Sequence, residues 1–291
     1  MGPRLLVILS LLFLVGCPTG PARESELAVL VTHPILADVV EWVGGEKVRV
    51  DSLFLPKENP LYSPPPLDDE HRIYRLFLSL GVPWEESGIS AVQSAGWYAP
   101  HRVIKNPRVS DFGGFAYWLH GSYLNDMLIQ VATMLSEIDP RNGAFYHQRI
   151  QEHLEEIDTY FMNVRFGVEG VALPKGKMRI ATHSPMEEDI LPFVGPAPLW
   201  RLVENPLDEI PLERFLELER DILSPELLLI STYTPKSVRE NAESVGWVVV
   251  EILLFPSDMN PPPERPITFV KENVRRIREG MWQVVNERPE S

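Results

Sequence analysis

The chain has 291 residues, of which 44% are hydrophobic and 23% are charged, and its formal net charge is −14. This composition is typical of a globular protein, while the acidic balance argues against nucleic acid as a partner and against a polybasic membrane contact. About 270 residues follow the N-terminal leader, which is enough for two lobes with separate cores.

The first 16 residues have the pattern of a secretory signal. One cation, Arg4, precedes an apolar run from Leu5 to Leu14 that is interrupted only by Ser10. Because a membrane-spanning helix needs about 20 apolar residues, this run is too short to cross a bilayer. We therefore expect residues 1–16 to be the signal peptide of an exported protein.

The signal ends in Leu14-Val15-Gly16-Cys17, which resembles the lipobox of bacterial lipoproteins. The resemblance implies that the chain is cut before Cys17 and that the thiol of Cys17 is acylated. Residues 17–25 would then be a lipidated tether on the outer-facing side of a bacterial membrane, in the periplasm or at the cell surface. The alternative is an ordinary leader with an incidental cysteine. Cys17 is the only cysteine of the chain, so it can form no internal disulfide.

The mature chain opens with the pattern strand, helix, strand. Leu27 to Thr32 is an apolar run rich in β-branched residues, and His33-Pro34 separates it from a helical pattern from Ile35 to Val43. Gly44-Gly45 ends this helix as a C-cap would, and Val48 to Leu55 is a second strand. Such a βαβ unit implies a parallel sheet with a right-handed crossover.

The middle of the chain combines a proline-rich loop with long helices. The prolines between Pro56 and Asp69 exclude a central strand or a helix in that loop. Apolar spacing predicts a helix from Asp68 or Asp69 to about Leu80 and another from Ser122 to Ile138. From Arg141 to about Val164 it predicts a helix roughly 36 Å long, which is enough to link two lobes.

The second half returns to β/α alternation. Strands are predicted at Arg179–Thr182, Leu227–Ser231 and Trp247–Ile252, and helices at Met186–Leu191, Leu212–Asp221, Ser237–Val245 and Thr268–Glu287. We therefore predict an α/β fold of two lobes, each with a mostly parallel sheet flanked by helices, joined by one long rigid helix. The predicted divisions are an N-terminal lobe over residues 26–139, a linking helix over 140–166 and a C-terminal lobe over 167–291.

Several stretches of the mature chain carry a resemblance to a known family: Val31 to Asp38 with Gly44-Gly45-Glu46, Asn59 to Pro66, Trp118-Leu119, Glu137 to Asn142 with Tyr146, Ile180 to His183, and Phe269 to Asn273. They resemble the metal receptors of bacterial ABC importers, the zinc- and manganese-binding lipoproteins whose two lobes are joined by one rigid helix. The resemblance implies a monomeric solute-binding protein with an ABC permease as its partner. It also implies zinc or manganese as the transported ligand, and no catalytic cofactor.

The resemblance also implies where the metal ligands of that family, three histidines and a carboxylate, fall in this chain. The first histidine position falls on Leu61 or Tyr62, the second on Ala116, the third on His183, and the carboxylate near Ile252 or Leu253, with Glu251 and Asp258 as the nearest acids. The family's other acidic position falls on Ser231 or Thr232. Only the third position therefore keeps a normal ligand.

Other side chains could replace the missing ligands. His33 ends the first strand at the face where α/β sheets collect ligands, and His120 lies four residues after Ala116. If His183, His33, His120 and Glu251 converged, a rearranged metal site would exist. The alternative is that His33 and His120, like His101, are solvated or capping residues, and that His183 only hydrogen-bonds a loop.

Two further hypotheses about function remain open. The sequence contains no nucleophile elbow, dinucleotide or phosphate loop or zinc-protease helix, so we expect no enzyme. A scaffold that binds no metal could instead present the Pro56–Pro66 loop to another envelope protein. A receptor for an organic ligand could use an aromatic platform, although packing is the simpler role for these rings: Trp97, Tyr98, Trp118, Tyr123 and Trp200.

Overall fold

A computed structural model of the chain describes residues 26–53, 73–82, 85–96, 99–105, 117–165, 178–191, 200–204, 207–221 and 224–287. Several features discussed above lie outside these residues, namely the leader, Cys17 and its tether, the whole proline-rich loop with Leu61 and Tyr62, and also Trp97, Tyr98 and Ala116.

The N-terminal lobe is built on a parallel sheet of four strands in the order β2-β1-β3-β4. The strands are β1 (Leu27–Val31), β2 (Val48–Ser52), β3 (Leu76–Ser79) and β4 (His101–Val103), and the helices are α1 (Pro34–Gly44) and α2 (Glu86–Ser94). Pro34 at the start of α1 and Gly45 just after it, with φ of 50°, set the bounds of that helix. The predicted βαβ unit is therefore present.

The predicted helix ending near Leu80 is wrong, because Leu76–Ser79 forms the strand β3. This strand lies between β1 and β4, and all four of its residues are buried. A strand covered on both faces has no alternation of apolar and polar residues. Its short apolar run also fits one face of a helix, so the spacing alone could not distinguish the two.

The C-terminal lobe repeats the same architecture with the strand order β6-β5-β7-β8, again all parallel. Its strands are β5 (Ile180–Thr182), β6 (Trp200–Arg201), β7 (Leu227–Ser231) and β8 (Val248–Ile252), and its helices are α5 (Leu212–Glu219), α6 (Lys236–Ser244) and α7 (Pro266–Glu287). Where a helix was predicted from Met186, the chain forms a short 3₁₀ turn, Pro185–Glu187.

Two antiparallel helices follow the N-terminal sheet, and the second of them links the lobes. These are α3 (Gly121–Ile138) and α4 (Gly143–Arg165), and α4 has 23 residues, or about 35 Å at the rise of an α-helix. Asp139 fixes the turn between them, because its Oδ2 accepts hydrogen bonds from Asn142 Nδ2 at 2.7 Å and from Tyr146 Oη at 2.8 Å. Helix α4 packs against α1 of the first lobe and α7 of the second. The two-lobed fold with a long connecting helix is confirmed.

Within the described ranges, no helix is both long enough and apolar enough to cross a bilayer.

Candidate functional site

The carboxyl ends of the parallel strands define the candidate site. His33 follows β1, His183 follows β5, and Leu253 to Phe255 follow β8. In open α/β sheets, ligands bind at this end of the strands.

His183 is completely buried and is held at both ring nitrogens. Its Nε2 lies 3.1 Å from the carbonyl oxygen of Asp208, and its Nδ1 lies 3.2 Å from Oγ1 of Thr234. Because a carbonyl oxygen can only accept, Nε2 carries the proton and Nδ1 accepts from the threonine hydroxyl. Burial lowers the pKa of His183, while the carbonyl of Asp208 acts in the opposite direction. The ring is therefore neutral, with the proton on Nε2 and a lone pair on Nδ1.

His33 begins α1 and packs among aromatic rings. Its Nδ1 accepts a hydrogen bond from the backbone N–H of Ile35 at 3.4 Å, as an N-cap does. Its ring centroid lies 5.2 Å from that of Trp118 and 4.9 Å from that of Phe255. Burial lowers the pKa of His33 to about 3. The ring is neutral at physiological pH.

These rings belong to an aromatic cluster that joins the two lobes, formed by His33, Trp118, Tyr233 and Phe255. Trp118 stacks on Phe255 with a centroid distance of 5.8 Å, and Tyr233 meets Phe255 edge-on at 6.0 Å. Trp118 Nε1 donates to the carbonyl oxygen of Leu254 at 2.7 Å. Trp118 therefore serves in interlobe packing, which the sequence reading had favoured over a ligand platform.

The other two predicted ligands have different partners. His120 stacks on Tyr123 at 4.5 Å, and its Nδ1 lies 2.8 Å from Oγ of Ser122. The carboxylate of Glu251 binds the guanidinium of Arg239 on α6. In the part of the chain that the structure describes, no group of three His, Cys, Asp or Glu side chains could hold a metal ion. The expected convergence of His183, His33, His120 and Glu251 is therefore not seen there.

Helix α1 continues the contact between the lobes beyond the aromatic cluster. We call α1 together with residues 253–263 the interlobe seam. Asp38 accepts the backbone N–H of Ser257 and faces the carboxylate of Asp258, and one turn further along α1 the Nε1 of Trp42 donates to the carbonyl oxygen of Pro263 at 3.0 Å. Burial, reinforced by Glu41, raises the pKa of Asp38 to about 8. The sequence analysis did not single out Asp38 or Trp42.

Each lobe also buries one glutamate that the sequence analysis missed. In the N-terminal lobe, Glu85 accepts hydrogen bonds from the backbone N–H groups of Leu80 at 3.0 Å and Val82 at 3.2 Å. In the C-terminal lobe, Glu187 Oε2 accepts from the backbone N–H of Ser184 at 2.7 Å and from its hydroxyl at 2.8 Å. The spacing Ser184-x-x-Glu187 is a capping-box motif, and it is the signal that could have identified this residue.

The comparisons with known proteins agree with this architecture. No protein-family model and no curated sequence matches the chain. Among solved structures, FpvC of Pseudomonas aeruginosa in complex with Ni²⁺ is 14% identical, with a TM-score of 0.67 over 91% of this chain and 99% of its own. The fold is that of metal-binding solute-binding proteins.

Two further structures support this fold assignment. The metal-dependent lipoprotein YcdH of Bacillus subtilis is 16% identical, with a TM-score of 0.69 over 88% of this chain and 99% of its own. The Mn-bound periplasmic metal binding protein of Candidatus Liberibacter asiaticus is 12% identical, with a TM-score of 0.67 over 88% of this chain and 100% of its own. The architecture of these two proteins is thus shared over both lobes.

Proposed function

We propose that this chain is the solute-binding protein of an ABC importer, anchored through Cys17 to the outer-facing side of a bacterial membrane. It captures a divalent metal ion, zinc or manganese, between residues 26–139 and 167–291 and delivers the ion to a membrane permease. The shared fold supports the receptor part of this proposal. The observation that carries the metal part is the setting of His183.

His183 has the arrangement that metal-binding histidines usually have. Such a histidine donates one ring N–H to a backbone carbonyl or carboxylate, which fixes the ring and leaves the other nitrogen for the metal. In this chain the Nε2–H of His183 is held by the carbonyl of Asp208, and Nδ1 faces Thr234. A metal ion at Nδ1 would displace the hydroxyl of Thr234. His183 thus supplies one nitrogen ligand, in the place where the family resemblance puts its third histidine.

The remaining ligands of the proposed site are His33, His120 and Glu251, which must move to reach the metal. His33 would leave its ring contacts with Trp118 and Phe255, and Glu251 would leave Arg239. A closed zinc site needs four donors and an open one needs three, so His183 alone cannot retain the ion. Metal capture on this chain therefore requires a rearrangement of the aromatic cluster and of the Glu251–Arg239 ion pair.

The test is metal retention by the soluble form that begins at Pro18, purified without chelator. Metal content is measured by mass spectrometry, and zinc and manganese are titrated into wild type, His183→Ala and His147→Ala. His147 is an exposed histidine of α4 and provides the matched control. We expect near-stoichiometric metal in wild type and in the His147 variant, and loss of metal from the His183 variant.

A flat titration at micromolar concentrations in wild type would overturn the metal proposal. Equal retention by wild type and His183→Ala would instead show that any bound metal lies elsewhere. Circular dichroism of the His183 variant must accompany the titration, because this side chain is buried and its loss could unfold the C-terminal lobe.

A second function is favoured by one specific observation. The aromatic cluster buries the rings of His33, Trp118 and Phe255, each with only 1% of its surface exposed. A receptor scaffold packed in this way could serve as an envelope interaction protein that binds no metal, with the Pro56–Pro66 loop as its contact. A partner that co-purifies with the full chain and is lost when this loop is replaced by a glycine-serine segment would support this second function.

A further inference from the structure

Trp118 joins the two lobes through contacts within the chain. It lies in a short 3₁₀ turn, Tyr117–Leu119, directly before α3. Its indole is 1% exposed, and its Nε1 donates a 2.7 Å hydrogen bond to the carbonyl oxygen of Leu254, a residue 136 positions further along the chain. Leu254 follows the last strand of the C-terminal sheet. Through this hydrogen bond, the indole links the N-terminal half of the chain to the C-terminal lobe.

The indole lies where a solute would be expected to bind. Its neighbours are His33, just after β1, and Phe255, just after β8, so it lies at the carboxyl ends of strands from both sheets. Ligands of α/β proteins collect at these strand ends. The three rings pack against one another and leave almost no surface exposed, so a solute cannot enter the cluster while the indole is in place.

The contacts along the rest of the interlobe seam are also internal to the chain. Trp42 Nε1 donates to the carbonyl of Pro263 at 3.0 Å. Just beyond the seam, Arg265 pairs with Glu156 of the long helix α4 at 2.8 Å. These contacts are made by groups of the chain alone.

We propose that Trp118 is an internal occupant of the interlobe site, which holds the lobes together in the absence of solute and must leave before a solute is enclosed. The inference rests on the proposed function in naming a captured solute as the competitor of the indole. Displacing the indole leaves the carbonyl of Leu254 without its donor and exposes three rings. Only a solute that compensates this loss is retained, which makes Trp118 a specificity-determining residue.

The test is the distance between the lobes in the metal-free protein. Because Cys17 is the only cysteine, the soluble form that begins at Pro18 has none, and two introduced cysteines can carry spin labels selectively. Gln93→Cys on α2 and Glu213→Cys on α5 place one label at an exposed position of each lobe. Double electron–electron resonance then gives the distribution of label distances in the presence of a chelator.

The variants are chosen to separate the hydrogen bond from the ring. Trp118→Phe keeps an aromatic ring but loses the N–H that reaches Leu254, whereas Trp118→Ala loses both. Trp282→Phe is the matched control, because the Nε1 of Trp282 on α7 has no hydrogen-bond partner among the described residues. We expect one narrow distance in the parent protein and in the Trp282 variant. The distribution should broaden and shift to longer distances in Trp118→Phe, and do so further in Trp118→Ala.

A broad distribution in the chelated parent protein, or distributions that Trp118→Phe and Trp118→Ala leave unchanged, would overturn the inference. If Trp118→Ala fails to fold, Trp118→Phe still decides, because it retains the ring packing. Metal titration of the parent protein separates this inference from the proposed function. Distances that depend on Trp118 in a protein that binds no metal would support the inference while contradicting the proposed metal cargo.

Discussion

Glu187 places a carboxyl group in the interior of the C-terminal lobe, where none of it is exposed. Burial raises its pKa from 4.5 to about 7, although the hydroxyl and backbone N–H of Ser184 act in the opposite direction. An acid with a raised pKa holds its proton more tightly in the folded than in the unfolded chain. Its contribution to stability is therefore complete below about pH 4.5 and is lost as the pH rises towards about 7.

Replacing Glu187 by glutamine removes this titration. We expect the free energy of unfolding of wild type to fall between about pH 4.5 and 7 relative to that of Glu187→Gln, by up to about 1.4 kcal/mol per pH unit. The amide can still accept both hydrogen bonds of Ser184, so the capping box remains. Urea denaturation at a series of pH values measures the difference between the two stability curves.

Glu213→Gln on α5 provides the control, because it removes an exposed carboxylate and leaves the buried Glu187 in place. Its stability curve should parallel that of wild type. Parallel curves for wild type and Glu187→Gln would contradict the prediction and would mean that Glu187 has the same pKa in the folded and in the unfolded protein.

At the scale of single residues, the sequence could indicate candidate site residues but not the residues that contact them in space. The family resemblance places its third histidine at His183, and this residue does follow β5. Its partner Asp208 lies 25 residues away in the chain, and no local spacing connects the two. The same holds for Trp118, whose acceptor Leu254 is set by the packing of two lobes. Burial and partners of this kind arise from tertiary structure alone.

At the scale of secondary-structure elements, the close packing of α3 against α4 depends on one glycine. A Cβ added at Gly121, the first residue of α3, would lie 1.9 Å from Cε2 of Phe161 on α4. Real carbon atoms do not approach to this distance, so a larger residue forces the ring or the helix to move. The absent side chain of Gly121 therefore sets how closely the two helices approach.

We predict that Gly121→Ala lowers the free energy of unfolding by about 1–3 kcal/mol, the usual cost of overpacking. Adding Phe161→Leu should recover part of this loss, because the smaller side chain leaves room for the methyl group. Thermal and urea denaturation of the single and double variants measure the coupling between the two positions.

Gly143, at the start of α4, is the matched control for this prediction. A Cβ there would meet Ser136 at 3.4 Å, an ordinary contact, and the residue has helical backbone angles. Gly143→Ala should therefore be neutral, or stabilising by up to about 1 kcal/mol. Equal losses at the two glycines, or no recovery by Phe161→Leu, would show that the ring contact is not the cause.

Element prediction succeeded for the long helices and for most strands, but it failed for the central strand β3 and for the very short edge strand β6. The predicted strand Leu227–Ser231 agrees with β7, and the helix predicted from Ser122 to Ile138 agrees with α3 to within one residue. Strand β6 has only two residues, too few for any periodic pattern. Its existence depends on hydrogen bonds from β5, which the local sequence does not encode.

At the scale of the whole molecule, one hydrophobic core runs through both lobes. It includes Val29 of β1, Tyr146 of α4 and Ile277 of α7, so residues of the two sheets and of the linking helix pack together. The interlobe seam adds the hydrogen bonds of Trp118 and Trp42 to this core. The two lobes are therefore not independent folding units, although each has its own sheet.

This continuity predicts a single cooperative unfolding transition for the soluble form that begins at Pro18. In scanning calorimetry the calorimetric and van 't Hoff enthalpies of wild type should agree. Trp118→Ala removes a buried indole, at a cost of about 3–5 kcal/mol, and breaks the hydrogen bond to Leu254. It should therefore uncouple the lobes and raise the ratio of calorimetric to van 't Hoff enthalpy above one.

Trp247→Ala is the control, because Trp247 is buried in a separate core cluster inside the C-terminal lobe, where its Nε1 donates a hydrogen bond to Glu219. That variant should lower the transition temperature but keep the ratio near that of wild type. Two resolved transitions in wild type would contradict the prediction, because they would mean that the contacts across the interlobe seam are too weak to couple the lobes.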